Sequence, residues 1–181
     1  MDSSSLITGF SPIVCKNASV LILGSMPSET SLNKQQYYGH SRNTFWQIMQ
    51  ELFVLDKDIE YPQRIQMLAQ KGVAVWDVLK RCSREGSMDA DIEMTSIQAN
   101  DFKSFFFAYP LIENIFFNGG MAEKVYKKYV LPEIEVQYSY LQYLRLPSTS
   151  PAYASMPLAD KIAAWQVIKK YLAGPALESY K

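Results

Sequence analysis

The chain has 181 residues, 48% of them hydrophobic and 20% charged, and its 18 basic and 18 acidic side chains give a formal net charge of zero. This composition is typical of one globular domain, and the two cysteines, Cys15 and Cys82, exclude a disulfide scaffold and a four-thiolate metal site. No run of about 18 apolar residues is present to span a membrane. We therefore expect one domain over residues 1–181 in the reducing cytoplasm, with loose ends at residues 1–8 and 175–181 and no membrane partner.

Four short apolar runs predict buried strands, in chain order VLILG (20–24), VAVWD (73–77), NIFFNG (114–119) and YLQYLRLPS (140–148). Helical patterns lie between and after them, in NTFWQIMQELF (43–53), YPQRIQMLAQKG (61–72), NDFKSFFFAY (100–109, with Asn100 as the predicted cap), GMAEKVYKKYV (120–130) and SMPLADKIAAWQVIKKYLAG (155–174). Strands that alternate with helices favour right-handed crossovers. The predicted fold class is α/β: a three-layer α/β/α sandwich around a four-stranded, mainly parallel sheet.

Three polar stretches follow these strands: GSMPSETSL (24–32), WDVLKRCSREGSMD (76–89) and LPSTSPAYA (146–154). Ligands on parallel sheets bind beyond the carboxyl ends of the strands, so we expect the three stretches to meet at one rim. In the third stretch, two prolines bracket residues 148–150 and stiffen a loop of small hydroxyl donors, which suits the binding of phosphates. The alternative is a turn that only caps the last helix.

The segment YYGHSRNTFW (37–46) has the composition of a binding-site lining. Tyr37 and Tyr38 are able to sandwich a flat ring, or they pack against the helix that follows. The carboxamide of Asn43 suits holding a water or reading a base edge, and it equally suits capping the same helix.

Other site chemistries have little support. GSMPS is not a nucleophile elbow, because Ser25 follows Gly24 directly and His40 is the only imidazole in the chain. Phosphate-loop and dinucleotide-binding patterns are absent, and no cluster has metal-ligand spacing, so we expect neither a metal nor a cofactor. Candidate basic faces, or simply solvated surface, are Lys34, His40 and Arg42; Lys80, Arg81 and Arg84; and Lys124, Lys127 and Lys128.

Five segments together, LILGSMPS, YYGHSRNTFW, GVAVWDVLKRCSREGSMDADI, FNGGMA and LPSTSPA, resemble the uracil-DNA glycosylase superfamily. They are most similar to its hypoxanthine-DNA glycosylase branch, which is closely related to the mismatch-specific uracil/thymine enzymes. The resemblance runs from about Val20 to the last helix.

The resemblance implies that the loop that positions the attacking water falls on residues 24–28. Related enzymes hold the water there with an asparagine or an aspartate, but this chain has Met26, whose thioether cannot orient water. The hypoxanthine branch departs in the same way and relies on the asparagine of its RN.FW segment, here Asn43. The implied base-binding residues are Gly24, Ser25, Met26, Pro27, Tyr37, Tyr38 and His40, the last facing either the base or a phosphate.

The second superfamily motif, which enters the minor groove, falls on residues 146–152. Its usual histidine is replaced by Leu146, which, like Met26, argues against strong uracil activity. The second implied catalytic residue beside Asn43 is Asp77, which reads the base or assists catalysis; the alternative is that Asp77 caps the VLKRC segment. The implied DNA-binding residues are Ser28, Pro147, Ser148, Thr149, Ser150, Pro151 and Ala152.

The resemblance therefore implies a monomeric, monofunctional glycosylase that hydrolyses the N-glycosidic bond of hypoxanthine in DNA and starts base-excision repair. No lysine lies in the motif loops as a Schiff-base nucleophile, although Lys34 is nearby. Two alternatives stay open: a uracil/thymine mismatch glycosylase, and a DNA lesion-binding module of the same fold without catalysis.

Overall fold

The computed structural model describes residues 6–56 and 58–172. Its strands are β1 (Leu6–Thr8), β2 (Val20–Gly24), β3 (Val73–Asp77), β4 (Leu79–Ser83), β5 (Gln98–Ala99), β6 (Asn114–Asn118) and β7 (Gln142–Leu146). Its α-helices are α1 (Glu29–Lys34), α2 (Phe45–Phe53), α3 (Tyr61–Gln70), α4 (Phe102–Ala108), α5 (Gly120–Tyr129), α6 (Leu131–Ile134) and α7 (Leu158–Trp165). Short 3-10 helices cover Asp89–Asp91, Met94–Ser96 and Gln166–Tyr171.

A four-stranded parallel sheet with the order β3-β2-β6-β7 forms the centre of the molecule. All residues of β2 and β3 are buried, as continuous apolar runs predict for a sheet covered on both faces. Neighbouring side chains of β6 confirm this cover, because Phe116 packs against Tyr171 and Phe117 packs against Tyr126 of α5. Since successive strand residues point to opposite faces, helices lie on both sides of the sheet, and the predicted fold class is confirmed.

A second sheet, absent from the prediction, is antiparallel and has the order β1-β4-β5. Leu6 pairs with Ser83, and Leu79 pairs with Ala99. The expectation that residues 1–8 are loose is therefore wrong for Leu6–Thr8, while residues 1–5 and 175–181 lie outside the described residues. The strands that pair with β4 are far from it in the sequence, so no local sequence pattern predicts this sheet.

One helix cap differs from the prediction, and one helix was not predicted. The side chain of Asp101, not that of Asn100, caps α4 by accepting a hydrogen bond from the N–H of Ser104 at 3.0 Å. Asn100 instead donates to the carbonyl of Asp77 at 2.8 Å. Helix α1 was not predicted, and Ser28 caps it by accepting from the N–H of Ser31.

The predicted last helix is divided into two described parts. Helix α7 covers Leu158–Trp165, and a 3-10 turn continues it over Gln166–Tyr171. Trp165 is fully buried, and its ring meets that of Phe45 edge-on with 6.1 Å between the ring centroids. This contact packs the end of α7 against the start of α2. None of the helices within residues 6–56 and 58–172 combines the length and the apolar character that a membrane crossing needs.

Candidate active site

A cleft with a volume of about 310 Å³ opens beyond the carboxyl ends of the parallel strands. Its lining comes from distant parts of the chain: residues 24–28 and 31, residues 37, 38 and 43, residue 77, residues 87–90, residues 118–121, and residues 148–150, 152 and 153. The three polar stretches that were expected at one rim therefore do meet there.

Most of the predicted site residues line this cleft. They are Gly24, Ser25, Met26, Pro27, Ser28, Tyr37, Tyr38, Asn43, Asp77, Ser148, Thr149, Ser150 and Ala152. His40, Pro147 and Pro151 do not line it. The Nδ1 atom of His40 accepts a hydrogen bond from the backbone of Arg42, and the carbonyl of Pro147 accepts one from the indole of Trp165. These two residues are thus engaged in local structure.

Asp77 is a buried residue of the cleft lining, in register with Gly24 of the neighbouring strand. A Cβ atom added to Gly24 would overlap Oδ1 of Asp77, so only glycine leaves room for the carboxyl group. Asp77 is 3% exposed, and its Oδ2 atom has no hydrogen-bond partner in the part of the chain that the structure describes. The residues that follow form strand β4, so the alternative role of Asp77 as a helix cap is wrong.

The pKa of the Asp77 carboxyl is raised to about 7. Burial is the largest cause, the negative charge of Asp89 adds to it, and the guanidinium of Arg84 opposes it. Near neutral pH the carboxyl is therefore present in both its protonated and its ionised form. A group that exchanges a proton at this pH suits either donation to a base or acceptance from it.

Asn43 borders the cleft immediately before helix α2. Its Oδ1 atom accepts a hydrogen bond from the N–H of Phe45 at 3.0 Å, and its own N–H donates to the carbonyl of His40. The N-cap of α2 is Thr44, without a side-chain cap hydrogen bond, so the alternative that Asn43 is the N-cap is wrong. Asn43 lies one residue earlier, and its bond to Phe45 does not exclude a role in the cleft. With its oxygen engaged by the backbone, the amide offers its NH₂ group as a donor.

The two tyrosines do not form the predicted sandwich. Their ring centroids are 6.2 Å apart and the rings are tilted by 42°, which leaves no parallel slot for a base. Tyr37 is buried, with its hydroxyl donating to the carbonyl of Ser11 at 3.0 Å. Tyr38 stacks on Phe45 at 4.0 Å and has a backbone φ of 54°, a left-handed conformation rare for a bulky residue.

The outer wall of the cleft is formed by the 84–91 segment, of which residues 87–90 line the cleft. The stretch 76–89 was expected at the rim, but no role in the cleft was predicted for Arg84 or Asp89. Asp89 accepts a hydrogen bond from the hydroxyl of Ser25 at 2.6 Å, and burial raises the pKa of its carboxyl. Arg84 is 4% exposed and donates to the carbonyls of Pro27 and Gly86, so its place in a solvated basic face is wrong. Arg84 and Asp89 both lie in the stretch 76–89 that was expected at the rim. Their spacing in the sequence does not indicate which charged side chains are buried.

Asn118 is a further cleft residue without a predicted role, although it lies in the FNGGMA segment. It follows three buried residues at the end of β6, and the next residue, Gly119, has a φ of 92°. A Cβ atom on Gly119 would lie 2.9 Å from that of Ser148, so the glycine lets the 146–152 loop approach the strand end. Among the described residues, no three His, Cys, Asp or Glu side chains gather to hold a metal ion.

Comparison with known proteins adds an independent result. The sequence profile of the Uracil DNA glycosylase superfamily matches residues 11–169. The Hypoxanthine DNA glycosylase of Methanosarcina barkeri (strain Fusaro / DSM 804) is 37% identical over 112 residues, which cover 61% of this chain and 70% of the relative. The protein of the same name from Methanosarcina acetivorans is 38% identical over 115 residues, covering 63% and 72%.

The fold is similar to a solution NMR structure from Methanosarcina acetivorans, of a protein named as a candidate uracil DNA glycosylase. The TM-score is 0.72 at 31% sequence identity, and the match covers 91% of this chain and 99% of the other. The similarity therefore extends over most of the chain.

Proposed function

Because the chain belongs to the uracil DNA glycosylase superfamily, we propose that it is a monofunctional DNA glycosylase that releases hypoxanthine and leaves an abasic site. The match of the family profile to residues 11–169 supports the reaction class. Two relatives at 37% and 38% identity that carry the name hypoxanthine DNA glycosylase support the choice of base. Its partner is then DNA with a deaminated adenine, and the chain acts as a monomer.

The reaction begins when the target nucleotide leaves the helix. A base inside the stack cannot be attacked, and unstacking costs a few kcal/mol, less for a mispaired base such as hypoxanthine. The cleft volume of about 310 Å³ and its position beyond the strand ends suit a single extruded base. The hydroxyl groups of Ser148 and Ser150 at the cleft rim would donate to the neighbouring phosphates.

Asn43 would direct the water that completes the hydrolysis. The C1′–N bond breaks with its electron pair leaving on the base, which leaves positive charge at C1′ of the sugar. A water held nearby then adds to C1′ and releases one proton to solvent, which gives the abasic sugar. The NH₂ group of Asn43 can hold the oxygen of that water, because its own oxygen is fixed by the N–H of Phe45. Met26 and Leu146, at the positions where related enzymes carry polar groups, are both buried and offer no replacement.

Asp77 would recognise the base and ease its departure. Hypoxanthine presents a donor at N1 and an acceptor at O6, and a buried carboxyl accepts from the first or donates to the second. With a pKa raised to about 7, the protonated form is available to stabilise the negative charge that develops on the leaving base. The rate of base release should therefore decrease as the pH rises through the pKa of Asp77.

The observation that carries the proposal is that Asn43 and Asp77, 34 positions apart in the numbering, line one cleft at the strand ends. The test is a glycosylase assay on labelled duplexes that contain hypoxanthine, uracil or only normal bases. We expect hypoxanthine release to decrease by at least about 100-fold in Asn43→Ala. The matched control is Asn33→Ala, an exposed asparagine of α1 that does not line the cleft and should not change the rate.

Other outcomes of this assay would overturn parts of the proposal. Release of uracil in preference to hypoxanthine would make the protein a mismatch uracil/thymine glycosylase. Binding of the modified duplex without release of any base would make it a lesion-binding module. Hypoxanthine release that is insensitive to Asn43→Ala would keep the substrate and remove Asn43 from the mechanism.

A further inference from the structure

Thr149 lies in the middle of the loop expected to bind DNA, yet it is only 1% exposed. A side chain so deeply buried cannot grip a phosphate, so its inclusion among the direct DNA contacts is wrong. Its neighbours Ser148 and Ser150 are both more exposed. The hydrogen bonds of Thr149 show what it does instead.

Two of these bonds tie Thr149 to the end of strand β6. The side-chain NH₂ group of Asn118 donates to Oγ1 of Thr149 at 2.9 Å, and the backbone N–H of Thr149 donates to Oδ1 of Asn118 at 2.9 Å. This reciprocal pair uses both ends of the Asn118 amide. It holds the loop at a fixed distance from the sheet and leaves the Thr149 carbonyl free for another partner.

That partner is Thr44, 105 residues away in the sequence. The backbone N–H of Thr44 donates to the carbonyl of Thr149 at 3.1 Å, and the Thr44 hydroxyl donates to the same oxygen at 3.3 Å. Thr44 is the residue between Asn43 and Phe45, whose N–H fixes the Asn43 side chain. A displacement of Thr149 is therefore transmitted to Asn43 through adjacent peptide units.

We propose that Thr149 is a positioning residue that couples contact of the 147–152 loop with DNA to the placement of the Asn43 amide in the cleft. This inference rests on the proposed function. A phosphate that presses on Ser148 or Ser150 moves the peptide units on either side of Thr149, and the Thr44 bonds carry that movement to Asn43.

The first test compares Thr149→Val, which removes the hydroxyl at nearly constant shape, with Thr149→Ser, which keeps it. Under single-turnover conditions with saturating hypoxanthine duplex, we expect Thr149→Val to be slower by about 10-fold, with a Kd for DNA within about twofold of the original. Thr149→Ser should restore most of the rate. The control is Thr95→Val, which removes an exposed hydroxyl bound to Glu93, away from the cleft, and should change neither value.

The second test asks whether Thr149 acts through Asn43. In the Asn43→Ala background, Thr149→Val should have little further effect on the rate, because the group that it positions is gone. An equal loss in both backgrounds would overturn the coupling. A weaker Kd with an unchanged rate at saturation would also overturn it and make Thr149 a determinant of DNA affinity alone.

The third test does not depend on activity. Amide hydrogen exchange of Thr44 and Phe45 in the free protein should be faster in Thr149→Val than in the original chain and in Thr95→Val. Unchanged exchange at both amides would overturn the coupling, whatever the assay shows. If the original chain releases no base, the proposed function fails, and this exchange result still decides whether Thr149 holds the Asn43 segment.

Discussion

The cleft has two walls that are built in different ways. The sheet wall, defined by Gly24, Asp77 and Asn118, stands on the ends of three neighbouring parallel strands. The outer wall, residues 84–91, is attached to the rest of the cleft by hydrogen bonds of its side chains. The sheet wall carries the Asp77 carboxyl, to which we assign chemistry, and the Asn118 amide, which holds Thr149. The outer wall encloses the cleft and acts on Asp77 only through the charges of Asp89 and Arg84.

Backbone hydrogen bonds fix the sheet wall. Gly24 pairs with Asp77 in the register of β2 and β3. Beyond this pair, the N–H of Val78 donates to the carbonyl of Gly24, and the N–H of Leu79 donates to the carbonyl of Ser25. Because these backbone bonds fix the wall, it can keep the Asp77 carboxyl buried although its Oδ2 atom has no hydrogen-bond partner among the described residues. A buried carboxyl of this kind lowers the free energy of unfolding, and its shifted pKa makes it reactive in proton transfer, as is common at functional sites.

Side chains hold the outer wall. Arg84 binds the carbonyl of Pro27, Asp89 accepts from Ser25, and Ser87 accepts from the N–H of Glu29 at 3.0 Å. Met88, between them, is 52% exposed at the cleft. This wall can therefore move or be weakened while the sheet remains intact, so substitutions in the two walls should have separable effects.

The largest expected effect is on the sheet wall, from Asp77→Asn. The folded-state pKa of Asp77, raised from 3.8 to about 7, means that the folded chain binds more protons than the unfolded chain between these values. At low pH the buried carboxyl is protonated and costs little. The free energy of unfolding decreases as the pH rises through about 7, because the fold must then bury the ionised carboxylate. Three pKa units correspond to at most about 4 kcal/mol, so the variant should be more stable by up to that amount at pH 8.

Urea denaturation at pH 4 and pH 8 measures this difference. At pH 4 the carboxyl is neutral in the fold, and the variant should have nearly the same free energy of unfolding as the original chain. Asp160→Asn, at an exposed position of α7, is the control and should show no such pH dependence. A gain of equal size at both pH values would contradict the assignment of a buried, titrating carboxyl.

The next effect is on the outer wall, from Arg84→Met. The substitution removes the donors to the carbonyls of Pro27 and Gly86 from a buried position, and we expect a loss of about 2–3 kcal/mol in the free energy of unfolding. Hydrogen exchange should increase in residues 24–28 but not in the amides of β6. Arg81→Met, an exposed neighbour in β4, is the control. Equal exchange increases in both regions would mean that the two walls are not separable.

The two walls also differ in how far the sequence predicted them. Strands β2 and β3 were predicted with their observed bounds, because a fully buried strand is a continuous apolar run that needs no knowledge of its partners. The rule for parallel strands placed Asp77 at the rim, and the structure has it in the cleft. Local pattern and topology were sufficient for the sheet wall, whereas the role of Asn43 was implied by the family resemblance and not by topology.

The outer wall could not be predicted in this way. Arg84 has the same side chain as exposed Arg81, and it is buried through its bridge to Ile92 and its bond to the carbonyl of Pro27, which is distant in the sequence. The prediction that Tyr37 and Tyr38 sandwich a base was wrong for the same reason. The Tyr37 hydroxyl donates to the carbonyl of Ser11, and no sequence pattern relates these two residues. Long-range side-chain contacts are invisible to periodicity.

The smallest expected effect connects the two walls, in Asp89→Asn. The negative charge of Asp89 contributes to the raised pKa of Asp77, so the neutral variant should lower that pKa. Asparagine keeps an oxygen that accepts from the Ser25 hydroxyl, so the geometry is retained and only the charge is lost. The midpoint of the pH profile for base release should move to lower pH by less than about one unit.

Carbon-detected NMR titration of the Asp77 carboxyl, beside the pH profile, separates the direct electrostatic effect from a change in binding. Asp91→Asn is the matched control, because it removes an exposed carboxylate two residues away that does not line the cleft. If the Asp77 titration does not move in Asp89→Asn, or moves to higher pH, Asp89 does not act on the sheet wall through charge. The pKa of Asp77 would then be set by burial and by Arg84, without a contribution from Asp89.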